Sequence, residues 1–123
     1  MAAVRVLLVD DQDTYRRAMA MVIGETNGFE AVGEAASGED AVVLAGRLGP
    51  DLVLMDVNLP GIDGLEATRQ LLASPQPPLV LLLSTYDEDA GEQFVADSGA
   101  FAYVTKAAFG PVRLTELWSA ARA

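Results

Sequence analysis

Short aliphatic runs recur along the chain, each closed by polar or turn residues and followed by a segment with helical spacing. Residues 4–9 read VRVLLV, residues 52–55 LVLM, residues 79–83 LVLLL and residues 101–105 FAYVT. Residues 29–35, FEAVGEA, alternate more and predict an edge strand. Three of the five runs are nearly continuous aliphatic, as a parallel strand covered on both faces must be.

The intervening segments predict helices. Residues 14–25 place Tyr15, Ala18, Met19, Val22 and Ile23 on one helical face, with Asp13 as the expected N-cap. Residues 37–48 begin with Ser37 or Gly38 ahead of Glu39 and Asp40, and stop at Gly49-Pro50. Residues 64–73 carry Leu65, Thr68, Leu71 and Leu72 and end at the proline cluster of residues 75–78. Residues 88–98 are acidic at their start and precede Gly99; residues 111–122 open with a proline, which suits a first helical turn. The pattern is β-α five times, without repeats, linkers or low-complexity tracts. Such units cross over right-handedly and build a mostly parallel, doubly wound α/β sheet. Eight would be needed for a barrel.

Composition narrows the chemistry. A length of 123 residues suits a single domain over residues 1–123, and 51% hydrophobic residues are enough for an ordered core. No signal peptide or membrane span is read in the sequence, so a cytoplasmic domain is expected. Eighteen acids stand against 8 bases with no histidine, for a net charge of -10, which disfavours direct contact with nucleic acid or anionic lipid. Without Cys or His there is no disulfide, thiolate nucleophile, zinc cluster, imidazole base or serine-protease-type triad. Carboxylates, hydroxyls, amides and a few cations remain, and Lys106 is the only lysine.

The polar residues that close the aliphatic runs carry the candidate chemistry. Asp10 and Asp11 close the first, Asp56 the third, Ser84 and Thr85 the fourth, and Lys106 the fifth. In a parallel sheet all strand C-termini lie on one edge, where such folds bind ligands. Three carboxylates, two hydroxyls and the lysine therefore meet on one rim. Clustered carboxylates repel unless a cation joins them, and an all-oxygen set selects Mg²⁺, Mn²⁺ or Ca²⁺ over zinc. A carboxylate is also a competent nucleophile for a phosphoryl group, whose oxygens then need a metal, a cation and a hydroxyl or N–H. From Asp56 onward the sequence DVNLPGIDG contains two tight-turn pairs, Pro60-Gly61 and Asp63-Gly64. A rigid loop there would bring a backbone carbonyl near Asn58 to the metal.

The ordered motifs VLLVDD, LVLMDVNLPGIDG, LVLLLST and GAFAYVTK give the chain a strong resemblance, over essentially its whole length, to the receiver domain of two-component response regulators. The resemblance implies a CheY-like, flavodoxin-type (βα)5 fold with strand order 2-1-3-4-5. It implies that Asp56 accepts a phosphoryl group from a sensor histidine kinase with Mg²⁺ bound, Mn²⁺ being a substitute. Asp11 matches a direct metal ligand, Asp10 one acting mostly through water, and Asn58 the ligand that uses its backbone carbonyl. Lys106 matches the lysine that pairs with the phosphoryl oxygens, Ser84 the switch hydroxyl and Tyr103 the aromatic that turns with it. The expected partners are the kinase and a second copy on phosphorylation. DNA would be reached only through an output domain, of LuxR helix-turn-helix type, absent from this chain; no membrane partner is expected.

Two positions depart from the usual pattern. Ser84 replaces the commoner threonine, keeping the hydroxyl but loosening its rotamer. Ala107 stands where many receivers have proline, so a trans peptide is expected after Lys106. Two other functions fit parts of the sequence. A receiver-like interaction module without phosphorylation would not need Asp10, Asp11, Asp56, Ser84 and Lys106 together. A phosphate-ester hydrolase would want an Asp-x-Asp nucleophile motif, whereas Val57-Asn58 follows Asp56.

Overall fold

The computed structural model describes residues 2–122; Met1 and Ala123, which the single-domain reading includes, lie outside the described residues. Five strands and five helices alternate: β1 Val4–Val9, α1 Asp13–Glu25, β2 Phe29–Ala35, α2 Gly38–Leu48, β3 Leu52–Asp56, α3 Gly64–Leu72, β4 Leu79–Ser84, α4 Glu88–Ser98, β5 Ala102–Thr105 and α5 Pro111–Arg122. The strands form one sheet in the order β2-β1-β3-β4-β5, every pair parallel. The order reverses at β1, so β1 and β3 lie side by side with their C-terminal ends on the same edge.

The two-residue period of a strand explains why the central runs are apolar without alternation. Val6 and Leu8, Leu52 and Leu54, Leu81 and Leu83 point to one face, where they meet Met19 and Ile23 of α1 and Leu114 of α5. Leu7 and Val9, Val53 and Met55, Val80 and Leu82 point to the other, against Ala41 of α2 and Ala67 and Leu71 of α3. The sheet thus separates two apolar layers. The predicted edge strand β2 is one, with Glu30 and Glu34 exposed. Its pairing with β1 slips between Val6 and Leu7, leaving Val32 as the extra residue of a bulge.

Most helix ends follow the sequence signals. Ser37 caps α2 by accepting from the Asp40 N–H, and Asp63 and Asp87 cap α3 and α4 in the same way. α1 differs. Asp13 is its first helical residue, Gln12 holds the N-cap position without a side-chain bond, and the Asp13 carboxylate pairs with Arg16 instead. An arginine one turn along offers that carboxylate a stronger partner than a backbone amide. Two strands also run one residue beyond the predicted ends. Asp56 pairs with Leu83 and Ser84 with Thr105, so both side chains leave from paired strand positions, not from loops. β5 begins one residue later than predicted, at Ala102.

Candidate functional site

The C-terminal edge of the sheet gathers the residues named from the sequence. Asp10 directly follows β1 and is fully buried, and Asp56 ends β3 at 4% exposure. Asp11 is exposed, and oxygens of all three carboxylates lie within 4.8 Å of one another. From the turn just after β5, Lys106 reaches across: its Nζ is 2.7 Å from Asp10 Oδ2 and 3.6 Å from Asp56 Oδ2. The backbone N–H of this lysine donates to the Ser84 carbonyl at 2.9 Å, which carries the end of the β4–β5 ladder up to the site.

Backbone amides hold the carboxylates in place. Gln12 N–H donates to Asp10 Oδ1 at 2.9 Å, and Asn58 N–H donates to Asp56 Oδ1 at 3.3 Å. Asn58 itself is exposed at the mouth of the site. The loop from Asn58 to Asp63 folds back so tightly that Gly64 N–H donates to the Val57 carbonyl at 2.9 Å. A Cβ on Gly64 would overlap the Asp56 carbonyl and stand 2.8 Å from Val57 Cα, so only glycine permits this approach.

The charge balance is unfavourable without a further cation. Three carboxylates face one ammonium, and burial, reinforced by the Asp10 charge, raises the Asp56 carboxyl to about 6, against the pull of Lys106. Oxygen donors in this excess, two of them buried, suit a hard divalent cation. The donor set fits Mg²⁺ or Mn²⁺.

Ser84 and Tyr103 lie on the α4 side of the rim. Ser84 is buried and its Oγ accepts from the Tyr86 N–H at 3.2 Å. The Tyr103 hydroxyl donates to the Tyr86 carbonyl at 2.6 Å. Its ring meets Phe94 edge-on, with centroids 5.7 Å apart, and lies against Gly91, where a Cβ would strike it. Phe94 meets Tyr86 likewise at 5.6 Å. Burial chiefly pushes the Tyr103 phenol above its ordinary range. Tyr86 therefore joins Ser84 to Tyr103 through its backbone.

Asp10, Asp11, Asp56 and Lys106 come together directly; Asn58 bonds Asp56 through its N–H, Ser84 is tied to Lys106 through its carbonyl, and Tyr103 is linked to Ser84 through Tyr86. Two others emerge only in three dimensions. Tyr15 stacks its ring under Lys106, and Arg16 donates to the Asp10 carbonyl at 2.7 Å while bonding Glu34 and Asp13. Helical spacing marked Tyr15 merely as an inward-facing residue, and nothing in the local sequence marks Arg16. The bond after Lys106 is trans, as are all peptide bonds of the described residues.

The family model described as the response regulator receiver domain matches residues 6–119. The chain belongs to this family. Over 105 residues, 85% of this receiver and 49% of the relative, it is 43% identical to the response regulator GacA of Pseudomonas aeruginosa. It is 36% identical, over 84% of itself and 49% of the relative, to the transcriptional regulatory protein LiaR of Bacillus subtilis. Among solved structures, a two-component response regulator of the LuxR family from Aurantimonas superposes with a TM-score of 0.84 at 32% identity, covering 97% of this receiver and 84% of that chain. The receiver spans about half the length of the curated relatives it matches. No helix of its described residues is long and apolar enough to cross a membrane.

Proposed function

We propose that Asp56 is the phosphoacceptor of this receiver and that the phosphoryl group comes from the phosphohistidine of a sensor histidine kinase. The observation that carries this reading is the convergence of three carboxylates within 4.8 Å with a lysine ammonium 3.6 Å from Asp56 Oδ2. An Asp56 carboxylate oxygen attacks phosphorus, forming an O–P bond as the P–N bond of the donor breaks. The imidazole leaves with the bonding pair and takes up a proton from water. Asp56 is held for this by the Asn58 amide on one oxygen and faces Lys106 with the other.

Asp11 and Asp56, with the Asn58 backbone carbonyl, would hold Mg²⁺ (Mn²⁺ also fits), and Asp10 would act mostly through water. The ion supplies charge neutralisation for the carboxylates and the transferring phosphoryl group. The phosphoryl group adds about 1.5 to 2 negative charges. Lys106 pairs with its oxygens and Ser84 offers a hydroxyl. Because Ser84 Oγ and the Tyr103 hydroxyl both bond Tyr86, movement of Ser84 toward the phosphoryl group changes what holds Tyr103. The face of α4, β5 and α5 then takes a second arrangement.

This reading places the domain in the cytoplasm as a switch that catalyses its own phosphorylation and controls an effector, with a phosphorylation-dependent homodimer as one output. Transcriptional control suits the relatives, whose DNA contact would come from outside this acidic domain. A small phosphodonor such as phosphoramidate, added with Mg²⁺, should attach one acid-labile phosphoryl group, read by mass spectrometry. Equal uptake by Asp56→Asn would refute the assignment.

A further inference from the structure

Lys106 is gripped from a side that ion pairing does not explain. Its Nζ lies 3.7 Å from the centroid of the Tyr15 ring, in addition to its contacts with the carboxylates of Asp10 and Asp56. The side chain is only 12% exposed, and it borders a small pocket lined by Tyr15, Met19, Leu83 and Phe109. Tyr15 sits in the first turns of α1, four residues after Asp11, so the helix next to the acidic pair also delivers the ring.

A lysine carries its charge on a flexible four-carbon stem and loses much rotamer freedom when held. Asp10 already contacts the ammonium at 2.7 Å, whereas Asp56 lies 0.9 Å farther away at 3.6 Å. The Asp10 pair fixes one contact of the ammonium and leaves the four-carbon stem free to swing about it. The negative face of an aromatic ring attracts a cation without neutralising it, and does so more strongly where water is excluded.

We propose that Tyr15 is a positioning residue for phosphoryl capture: its ring keeps Lys106 Nζ, already paired with Asp10, on the rim within 3.6 Å of Asp56, where the incoming phosphoryl oxygens will need it. This inference rests on the reading that Asp56 accepts the phosphoryl group. Tyr15 touches neither phosphorus nor metal in this scheme and acts through Lys106.

The test measures the phosphorylation rate constant with phosphoramidate at saturating Mg²⁺. Tyr15→Leu keeps the pocket apolar but removes the ring, and should slow the reaction about three- to tenfold, with Tyr15→Phe within about twofold of the parent. Phenylalanines fluorinated once, twice and three times at position 15 keep the ring's shape while weakening its negative face, so the rate should fall stepwise. In a Lys106→Met background, Tyr15→Leu should cause no further slowing. Parental rates in Tyr15→Leu, or a flat fluorinated series, would overturn the inference. If Tyr15→Leu does not fold, the fluorinated series decides alone. If Asp56→Asn is phosphorylated like the parent, the phosphoacceptor assignment fails first and this inference falls with it.

Discussion

At Asp56 the fold holds a carboxylate 4% exposed beside a second buried carboxylate, and the carboxyl is pushed up to about 6. In the unfolded chain the same group titrates near its ordinary value of 3.8. Between about 4 and 6 the folded domain therefore binds more protons than the unfolded chain, and stability falls as pH rises through that window. The contribution is fully present below about pH 4 and lost above about pH 6. Without metal, Asp56→Asn should remove this dependence and raise stability at pH 7 by about 2–3 kcal/mol at most. Urea unfolding of both proteins at several pH values, with a chelator present, checks this; parallel profiles would contradict it. Asp10, Asp11, Asp56, Ser84 and Lys106 were legible from the sequence because each closes an aliphatic run and parallel topology fixes their common edge. Tyr15 was not, since its role depends on a lysine in another element 91 residues along the chain.

Elements carry the site through their ends. The β3–α3 connection is pinned by the Asp63 cap, whose Oδ1 accepts from Glu66 N–H at 2.8 Å, and by the return of Gly64 onto Val57. Gly64→Ala forces backbone against backbone, with no flexible side chain to yield. It should destabilise the domain by about 2 kcal/mol or more, and should weaken Mg²⁺ binding by shifting Asp56 and Asn58. Chemical denaturation and calorimetric titration give the two readouts; a neutral substitution would show that the loop has slack. Gly91→Ala differs in kind, because the obstacle there is the Tyr103 side chain, from its ring to its Cβ, and not backbone. Helix and strand positions were legible from periodicity, while ends were displaced by one residue where a side-chain partner one turn along or a neighbouring strand decided them. Arg16 drew Asp13 from its cap, and cross-strand pairing drew Asp56 and Ser84 into the sheet.

Across the whole molecule, the acidic rim links stability to cation concentration. A divalent ion that binds the folded rim and not the unfolded chain should stabilise it by about 1.4 kcal/mol at ten times its Kd. Thermal unfolding with and without Mg²⁺ should show that gain in the parent and lose most of it in Asp11→Asn. An equal gain in both would place the ion elsewhere on a surface of net charge -10. Topology was legible at this scale because five alternating units leave few arrangements, and the strand order is the one the resemblance implies. The sorting of alternate aliphatic residues into two layers was implicit in the unbroken runs, but the helices each layer meets required the structure.

Those two layers have a consequence for change over generations. Lys106 and Tyr15 line a pocket with Met19, Leu83 and Phe109 at the border of the layer under α1 and α5, whereas Tyr103 and Phe94 pack against the layer under α2, α3 and α4, with the sheet between them. Substitutions in separate layers share few partners, so their effects on stability should add. A lineage can then rewrite the surface over one layer for a new associate while the other keeps its old allegiance, and the single rim where the layers meet stays common property of both.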